Sequence, residues 1–479
     1  MAEEIPPCAA ATMVSLRGLG YSLDAAVADI VDNSISAGAS RIWLDFAWQG
    51  PDSFVSILDD GRGMWLEQLI MALRIGGHGP NSARHSSDLG KFGFGLKTAS
   101  FSQCKRLTVA TLYQGQLHCR IWDLEYVQAQ DRWLLQSEPS ELASAQFRRL
   151  KELESGTLVV WEKLDRLAFD ESDASQEHFY ESIENVKKHL AMVFHRFLEG
   201  SGTASKLDIL LGNAAGYAGL KPWNPFAENV FRTPSDLLQR PPAAVKLQGF
   251  VLPEPGTLTA NKRDRIGGPS GWRKQQGIYV YRNNRVLVAG GWLGLGGRQW
   301  LQDEGHQTAR ISLEFTSASD EEWKIDIRKS QARPPVRFKR RLTQLARLVR
   351  DRALQASPRT RQGHAAASSG DGDAYFWQTN PSGELEINRK HPAVLEILSR
   401  WGKAAEDIEK LLCLIQGQVP TKLVWVQTPG EQGPLLAQAK KLFKSLCSDM
   451  SPSEALGILL LDARFSSIRG QLKELLKLD

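Results

Sequence analysis

Three glycines, Gly90, Gly93 and Gly95, lie within six residues of one another, directly before a segment that can begin a helix. Backbone N–H groups in a glycine-rich turn and at a helix N-terminus together form a cradle for phosphate. Many turns use glycine, so this spacing alone is weak evidence. Two upstream blocks accompany it, residues 29–38 (DIVDNSISAG) and residues 57–64 (ILDDGRGM). Together the blocks predict a site for a phosphorylated ligand.

These three blocks, in this order, resemble the GHKL ATPase superfamily, which includes gyrase B, heat-shock chaperones of the ninety-kilodalton class, histidine kinases and MutL. The resemblance covers roughly the first 350 residues, and residues 93–100 (GFGLKTAS) are most similar to the Microrchidia (MORC) branch and its bacterial relatives. It implies an α+β fold: a two-layer Bergerat-type ATPase sandwich, then a transducer-like α/β domain and a mostly helical C-terminal domain. It also implies that the ligands are ATP and Mg²⁺.

The first block predicts a helix over residues 23–37 with a polar face opposite its apolar stripe. Asp29, Asp32, Asn33 and Ser36 follow the spacing that stacks side chains on one side of a helix. Asn33 is the candidate Mg²⁺ ligand, since Mg²⁺ takes few protein ligands besides phosphates and water. Asp29, one turn earlier, is the candidate base that takes a proton from the attacking water. A solvated polar face is the alternative.

The resemblance also raises a question about Asp29, because the base in ATP-hydrolysing GHKL members is normally glutamate. Aspartate is one methylene shorter, and catalytic geometry tolerates errors of only about 0.5 Å. We therefore expect hydrolysis to be slow or to need a bridging water.

The second block predicts the adenine side of the site. Asp59 ends a predicted strand, and its carboxylate can accept a hydrogen bond from the exocyclic amine of adenine; guanine has a carbonyl there. Gly61 and Gly63 let the backbone pass under the base, and Met64 can pack on the ring. The alternative is an ordinary Asp-Gly turn, and Asp60 is expected to face solvent.

The resemblance assigns a supporting role to a later residue. Thr157, in a predicted strand, matches the superfamily's Gly-Thr strand, in which the threonine hydroxyl supports the adenine-binding aspartate directly or through water.

The third block predicts the phosphate side. Lys97 and, less strongly, Lys91 can pair with phosphate oxygens, although lysines in loops are usually solvated. Residues 74–89 contain several glycines and are expected to form a lid that closes over ATP. The complete predicted phosphate-side set is Gly90, Phe92, Gly93, Gly95, Leu96 and Lys97.

Two later segments resemble the transducer domain of MORC-like and MutL-like proteins. Residues 277–285 match its strand and turn, and residues 323–330 match its late loop. Asn283 and Asn284, between two strand-like stretches, also predict a hairpin. In relatives a lysine of this loop reaches the γ-phosphate, which makes Lys329 the candidate and Arg328 the second choice. Such a cation stabilises the charge of the transferring phosphoryl group. A surface cation beside a strand is the alternative.

Length and composition predict several domains in a protein of the cytoplasm. A chain of 479 residues exceeds one core, and its five cysteines are scattered without a C-x-x-C pair, which fits a reducing compartment. We expect no signal peptide and no transmembrane helix. The predicted parts are an ATP-binding domain with an irregular N-terminal arm (1–200), a transducer-like domain (201–354), a flexible linker (355–373) and a mainly helical C-terminal domain (374–479). The last of these is expected to begin with a hairpin and to continue with helices from residue 392.

A basic segment predicts a DNA contact. Between Arg333 and Arg361 the chain has ten Lys or Arg residues and one acid, Asp351, although its net charge is only +5. Such a cluster is typical of a surface that binds a phosphate backbone. A solvated helix or a partner for an acidic protein surface fits equally well, and a single aromatic residue in the segment, Phe338, leaves base stacking unsupported.

The resemblance implies an ATP-dependent homodimeric clamp that acts on DNA. Bacterial proteins of this kind often accompany restriction-modification or phage-defence genes, so helicase, nuclease or methylase partners are expected. One alternative is a nucleotide-gated protein interaction module with little hydrolysis, and another is a MutL-like repair ATPase. A histidine kinase is disfavoured because none of the 28 residues before Asp29 is a histidine that could accept a phosphoryl group. A chaperone is disfavoured because the chain has no acidic linker and no Met-rich client surface.

Overall fold

The chain divides into two compact units in a computed structural model, Met1–Thr360 and Arg361–Asp479. Their boundary falls within the predicted linker, and the predicted division of the first unit near residue 200 stays a prediction. The structure describes residues 3, 5, 7–18, 20–76, 95–167, 172–213, 215–239, 243–297, 300–320, 322–324, 332–356, 377–379, 385–387, 389 and 412.

A seven-stranded sheet forms the base of the N-terminal half, in the order β4-β3-β5-β2-β1-β6-β7. Neighbouring strands run antiparallel except β1 and β6, which are parallel. Every residue of the central strand β2 is buried, so both faces of the sheet are covered there. The strands are β1 Arg41–Ala47, β2 Phe54–Asp59, β3 Arg106–Tyr113, β4 Gln116–Asp123, β5 Gly156–Glu162, β6 Asp208–Asn213 and β7 Gly216–Gly219.

Helices cover the two faces of this sheet unequally. Alternate strand residues such as Ile57 and Val109 pack with most of the helices in the main core. The opposite face, which includes Leu58 and Ala110, is covered by α6 through Phe147 and Leu150. The helices are α1 Ala9–Arg17, α2 Leu23–Ser36, α3 Leu66–Leu73, α4 Gly95–Gln103, α5 Leu124–Gln130, α6 Glu141–Lys151, α7 Asp173–Val193 and α8 His195–Glu199.

A second sheet follows, in the order β12-β11-β13-β10-β8, with β9 also paired to β10. Helix α11 packs on β10 and β13 through an apolar stripe that includes Leu342 and Val349. The elements are β8 Phe231–Arg232, β9 Asp236–Gln239, β10 Val245–Val251, α9 Ala260–Gly267, α10 Gly271–Gln275, β11 Gly277–Arg282, β12 Arg285–Ala289, β13 Ala309–Phe315 and α11 Val336–Ala356.

The predicted hairpin of the second sheet is confirmed. Strands β11 and β12 pair antiparallel around Asn283 and Asn284. Both asparagines have positive φ, 46° and 69°, which is the backbone conformation of a tight two-residue hairpin turn. This turn places Arg282 and Arg285 opposite each other at the end of the ladder.

The α+β, layered architecture predicted from the sequence is confirmed, but the N-terminal arm was predicted wrongly as irregular. Ala9 and Met13 are buried on one face of α1, and Arg17 pairs with Asp165 at 2.6 Å. The helix is short, so its own propensity is marginal and its packing stabilises it. The residues that α1 contacts, such as Asp165, lie far along the chain, so the local sequence pattern could not predict this contact.

The structure describes only a few residues of the second unit. Strands β14 Trp377–Thr379 and β15 Leu385–Ile387 pair antiparallel, as the predicted hairpin near residue 374 requires. The helices predicted after residue 391 lie outside the described residues, except for residue 412, which is helical. None of the described helices combines the length and the apolar character that crossing a bilayer requires.

Candidate nucleotide-binding site

A buried carboxylate lies at the carboxyl end of β2. Asp59 is 6% exposed, and three donors point at it. Ser34 Oγ donates to Oδ2 at 2.7 Å, and the backbone N–H groups of Gly61 and Thr157 donate to Oδ1 at 2.9 and 3.2 Å. Burial raises the pKa of Asp59 to about 6, although these hydrogen bonds act to lower it. The carboxylate is therefore held rigidly, and its lone pairs can serve a ligand that donates a hydrogen bond.

Two glycines after β2 allow the backbone to pass very close to its neighbours. A Cβ at Gly61 would lie 2.9 Å from Asp59 Oδ1. Gly63 has φ +67°, and a Cβ there would lie 2.1 Å from the Leu112 carbonyl oxygen. Both positions therefore require glycine. The next residue, Met64, is half-buried, and its N–H donates to Thr111 Oγ1 at 2.8 Å.

Helix α2 brings the predicted base and metal ligand to the same region. Asp29 is buried at 3% exposure, whereas Asn33 is exposed. Gly95, the first residue of α4, lies against Asp29, because a Cβ there would be 3.5 Å from Asp29 Oδ2. The end of the predicted phosphate-side turn therefore lies against the candidate base Asp29, while Asn33 is open to a ligand from solvent.

Comparison with known proteins identifies this arrangement. The family described as "Histidine kinase-, DNA gyrase B-, and HSP90-like ATPase" matches residues 21–157, which include α2, β2, α4 and the start of β5. The chain carries a GHKL-type ATPase domain. The predicted superfamily is thereby confirmed for this part of the chain.

Individual relatives agree with the family match over short segments. The chain is 33% identical to ATPase morc-1 of Caenorhabditis elegans over 90 residues, which is 19% of this chain and 10% of that protein. It is 49% identical to DNA mismatch repair protein MutL of Dictyoglomus thermophilum over 47 residues, 10% of this chain and 8% of that protein. It is 37% identical to MutL of Pelotomaculum thermopropionicum over 89 residues, 18% of this chain and 14% of that protein. The chain thus spans a small fraction of the length of these relatives.

Within the GHKL-type domain, Ser34 and Thr111 are contacts that the sequence prediction missed. Ser34 is 1% exposed and falls on the apolar stripe of α2, seven residues after Val27. A serine on a buried apolar stripe needs a hydrogen-bond partner. This requirement was the sequence signal that could have identified Ser34. Thr111 is fully buried and donates to the Gly156 carbonyl oxygen at 3.1 Å. Thr157 itself contacts Asp59 through its backbone N–H. The predicted contact of its hydroxyl, directly or through water, stays a prediction.

Contrary to what the spacing of the polar residues predicts, Asp32 does not share the exposed face of Asn33. It is 1% exposed, and its Oδ1 accepts a hydrogen bond from Arg285 Nε at 2.8 Å. Consecutive helix residues diverge by about 100°, so Asp32 and Asn33 point to different surroundings. The polar stripe is therefore divided: Asn33 faces solvent, and Asp32 faces the second sheet.

Asp60 does not face solvent as expected. It accepts hydrogen bonds from the backbone N–H groups of Ser40 and Arg41 at 2.7 and 2.8 Å, and from Ser40 Oγ at 2.6 Å. Partial burial acts to raise the pKa of Asp60, but these bonds and the Arg41 charge outweigh it, and the pKa is lowered. Asp60 thus fixes the chain between α2 and β1, directly beside Asp59.

Lys97 is enclosed rather than extended toward open solvent. It is 2% exposed, and Nζ donates to the Ala72 carbonyl oxygen at 2.8 Å near the end of α3. Burial lowers the pKa of Lys97 to about 8. Leu96 is half-buried and packs on the main core. A phosphate contact from Lys97 stays a prediction.

Several predicted residues lie outside the described residues, and no geometry is assigned to them. They fall in residues 77–94 and 325–331. They are Gly90, Lys91, Phe92, Gly93, Arg328 and Lys329.

Close packing at Gly63 predicts a specific loss of stability. We expect Gly63→Ala to lower the free energy of unfolding by at least about 2 kcal/mol, because it combines a strained positive φ with a clash. Gly38→Ala is the control, since Gly38 also has a positive φ, +76°, but nothing within 4 Å of its Cβ position. It should cost about 1 kcal/mol. Equal losses in chemical denaturation would show that the crowding has no effect.

Proposed function

We propose that the GHKL-type domain binds ATP. The arrangement of Asp59 supports this most strongly, because the carboxylate is buried, is held by three donors, and keeps lone pairs for the adenine amine. Gly61 and Gly63 provide the close backbone approach, and Met64 packs on the ring. Thr157 orients Asp59 from β5. The phosphates would lie toward the turn of Gly90, Phe92, Gly93 and Gly95, with Leu96 and Lys97 at the start of α4.

The residues on α2 fit a Mg²⁺ ion bound together with the nucleotide. Asn33 is an exposed amide oxygen donor, and Mg²⁺ usually takes few protein ligands when phosphates supply others. Bound Mg²⁺ would neutralise phosphate charge. The protein's part is to keep Asn33 accessible and to hold α2 in place through Ser34, whose hydroxyl donates to Asp59.

We propose that Asp29 is the general base of slow ATP hydrolysis. It is enclosed beside the N-terminus of α4, where backbone N–H groups favour negative charge on a ligand. In that place it can accept a proton from a water molecule that attacks the terminal phosphate. Lys329 is the proposed cation for that phosphate, by resemblance to the transducer loop of relatives.

We propose, as the wider function, an ATP-dependent homodimeric clamp that acts on DNA. The resemblance to MORC-like and MutL-like proteins supports it, and the resemblance to bacterial MORC-like proteins suggests a setting in restriction or phage defence in the cytoplasm, with a helicase, nuclease or methylase partner. A nucleotide-gated interaction module and a MutL-like repair ATPase are the competing functions. ATP turnover separates the clamp from the interaction module.

The basic helix α11 supports a DNA contact, but fewer of its positive charges are free to meet DNA than its composition indicates. Arg337 pairs with Glu322, and Arg341 pairs with Asp236. Among the described residues no acidic partner contacts Arg340 or Arg347, which are exposed and seven residues apart on one face. Lys339 is exposed and has no acidic partner among these described residues either, so the available positive charge of α11 includes Lys339, Arg340 and Arg347.

ATP turnover tests the proposed base. We expect the wild-type protein to hydrolyse ATP slowly, and Asp29→Asn to lower turnover at least about 100-fold, since general-base catalysis contributes about 10²–10⁴-fold. ATP affinity should change little, because the carboxamide keeps the shape of Asp29. Asp29→Glu restores the usual residue and is expected to retain or raise turnover. Wild-type turnover at the background rate would contradict the hydrolysing clamp and favour the interaction module.

The raised pKa of Asp59 predicts that ATP binding depends on pH. Because the folded-state pKa is about 6, above the usual 3.8, Asp59 contributes stability below pH 3.8 that is lost as pH rises through 6. Adenine binding has the opposite dependence, since the ionised carboxylate accepts the stronger hydrogen bond. Affinity should therefore fall up to about tenfold from pH 7 to pH 5.

Asp59→Asn is the matched control for that pH series. It keeps an amide oxygen near the same place but has no group that titrates, so any remaining pH dependence reports protonation of the phosphates. Isothermal titration calorimetry of both proteins gives the comparison. Identical pH dependence in both would exclude Asp59 as the adenine acceptor.

Binding of duplex DNA over a salt series tests α11. We expect Arg340→Gln/Arg347→Gln to reduce the slope of log affinity against log salt by about 2, one for each lost phosphate contact. Arg337→Gln/Arg341→Gln removes the same charge from residues that already have acidic partners, so its slope should change by less than half as much. Equal changes in both double variants would exclude the proposed contact surface.

A further inference from the structure

A buried ion pair joins the helix of the proposed ATP site to the second sheet. Arg285 begins β12, directly after the Asn283–Asn284 turn, and its Nε lies 2.8 Å from Asp32 Oδ1. The two side chains are 5% and 1% exposed. The residues are 253 positions apart in the chain, so this contact depends entirely on the tertiary fold.

Arg285 is held on its own side of the contact as well. Its Nη1 donates to the Val286 carbonyl oxygen at 3.1 Å, and its guanidinium carbon lies 5.7 Å from the centre of the Phe194 ring. The guanidinium is therefore fixed by the hairpin and by the segment between α7 and α8. It cannot follow a movement of α2 without losing these contacts.

Asp32 is the neighbour of Asn33 and lies three residues after Asp29 on the same helix. Its position therefore determines where the side chains of Asn33 and Asp29 lie. Helix α2 is also connected to α7, where His189 Nδ1 lies 3.3 Å from Asp24 Oδ2. Burial lowers the pKa of His189, and the charge of Asp24 acts to raise it. The contact of His189 joins two helices of the first layer. Arg285, in contrast, comes from the second sheet.

We infer that Arg285 is a positioning residue for the ATP site, and that its pair with Asp32 couples nucleotide binding to the β11–β12 hairpin. The inference rests on the proposed function. Separating a buried ion pair leaves an uncompensated charge in the interior, which is strongly unfavourable. Helix α2 and the hairpin therefore move together. A ligand that fixes Asn33 also fixes the hairpin, and by reciprocity the state of the hairpin changes ligand affinity.

The matched control is another ion pair that joins the same two layers. Arg196, on α8, pairs with Glu314, on β13. This pair connects the first layer of helices to the second sheet but does not contact α2. Arg196 also lies over the ring of Tyr281, on β11 of the hairpin. Arg196→Met thus removes an arginine that joins the two layers and contacts the hairpin, while the Asp32–Arg285 pair is left intact.

Two measurements on the full chain test the inference, with wild type, Arg285→Met, Arg285→Lys and Arg196→Met. The first is the affinity for ATP with Mg²⁺ and for ADP without metal. The second is hydrogen–deuterium exchange of the hairpin, residues 277–289, with and without Mg²⁺ and ATP. Arg285→Lys keeps a positive charge beside Asp32, so it provides a folded variant if Arg285→Met is unstable.

We expect Arg285→Met to bind ATP with Mg²⁺ about tenfold more weakly, and Arg285→Lys to show a smaller loss in the same direction. Metal-free ADP should change less than twofold in both, because the Asp59 contacts remain. ATP should protect the hairpin from exchange in wild type and Arg196→Met, but not in Arg285→Met. A loss confined to the metal-bound nucleotide distinguishes positioning from general destabilisation.

The inference is overturned if Arg285→Met and Arg285→Lys retain ATP-dependent protection of the hairpin. It is also overturned if their affinities for ATP with Mg²⁺ and for metal-free ADP fall by the same factor. In those outcomes wild-type protein still binds ATP, so the proposed function stands. If the wild type does not bind ATP at all, the proposed function fails and this inference fails with it.

Discussion

The candidate site depends on a buried carboxylate that the fold holds from three directions. Asp59 receives a side-chain hydrogen bond from α2 and backbone hydrogen bonds from its own turn and from β5. Burial of a carboxylate is unfavourable unless donors compensate for the lost water. The raised pKa of about 6 indicates that this compensation is incomplete. A ligand that donates one more hydrogen bond would complete it, and in the proposed function this is how Asp59 selects adenine.

Helix α2 links this carboxylate to the rest of the molecule. Four of its residues face four different surroundings: Ser34 faces Asp59, Asp29 faces the start of α4, Asn33 faces solvent, and Asp32 faces Arg285. Consecutive residues of a helix point about 100° apart, so the elements packed on different sides of α2 each meet a different side chain. This explains why so many polar residues of α2 are buried. In the proposed site, α2 therefore connects adenine, metal and second sheet.

Local patterns predicted much of this arrangement. The apolar spacing of α2 predicted the helix, the end of β2 predicted Asp59, and the Asn283–Asn284 pair predicted the hairpin turn. What local patterns could not predict were contacts between distant segments, such as Asp32 with Arg285. Period and propensity define which side of a helix is polar, but not what lies against it. A carboxylate on that side can bind metal, pair with an arginine or remain solvated, and only the tertiary fold decides.

Asp29, the proposed base where relatives normally have glutamate, must be considered together with Gly95. A Cβ at Gly95 would already lie 3.5 Å from the Asp29 carboxylate, which is ordinary van der Waals contact. The backbone at the start of α4 therefore comes close to the shorter side chain. A glutamate would carry its carboxylate one methylene further into the same space, toward the start of α4. The length of the side chain at residue 29 and the approach of α4 are thus parts of one geometry, and the proposed role of Asp29 in hydrolysis depends on both.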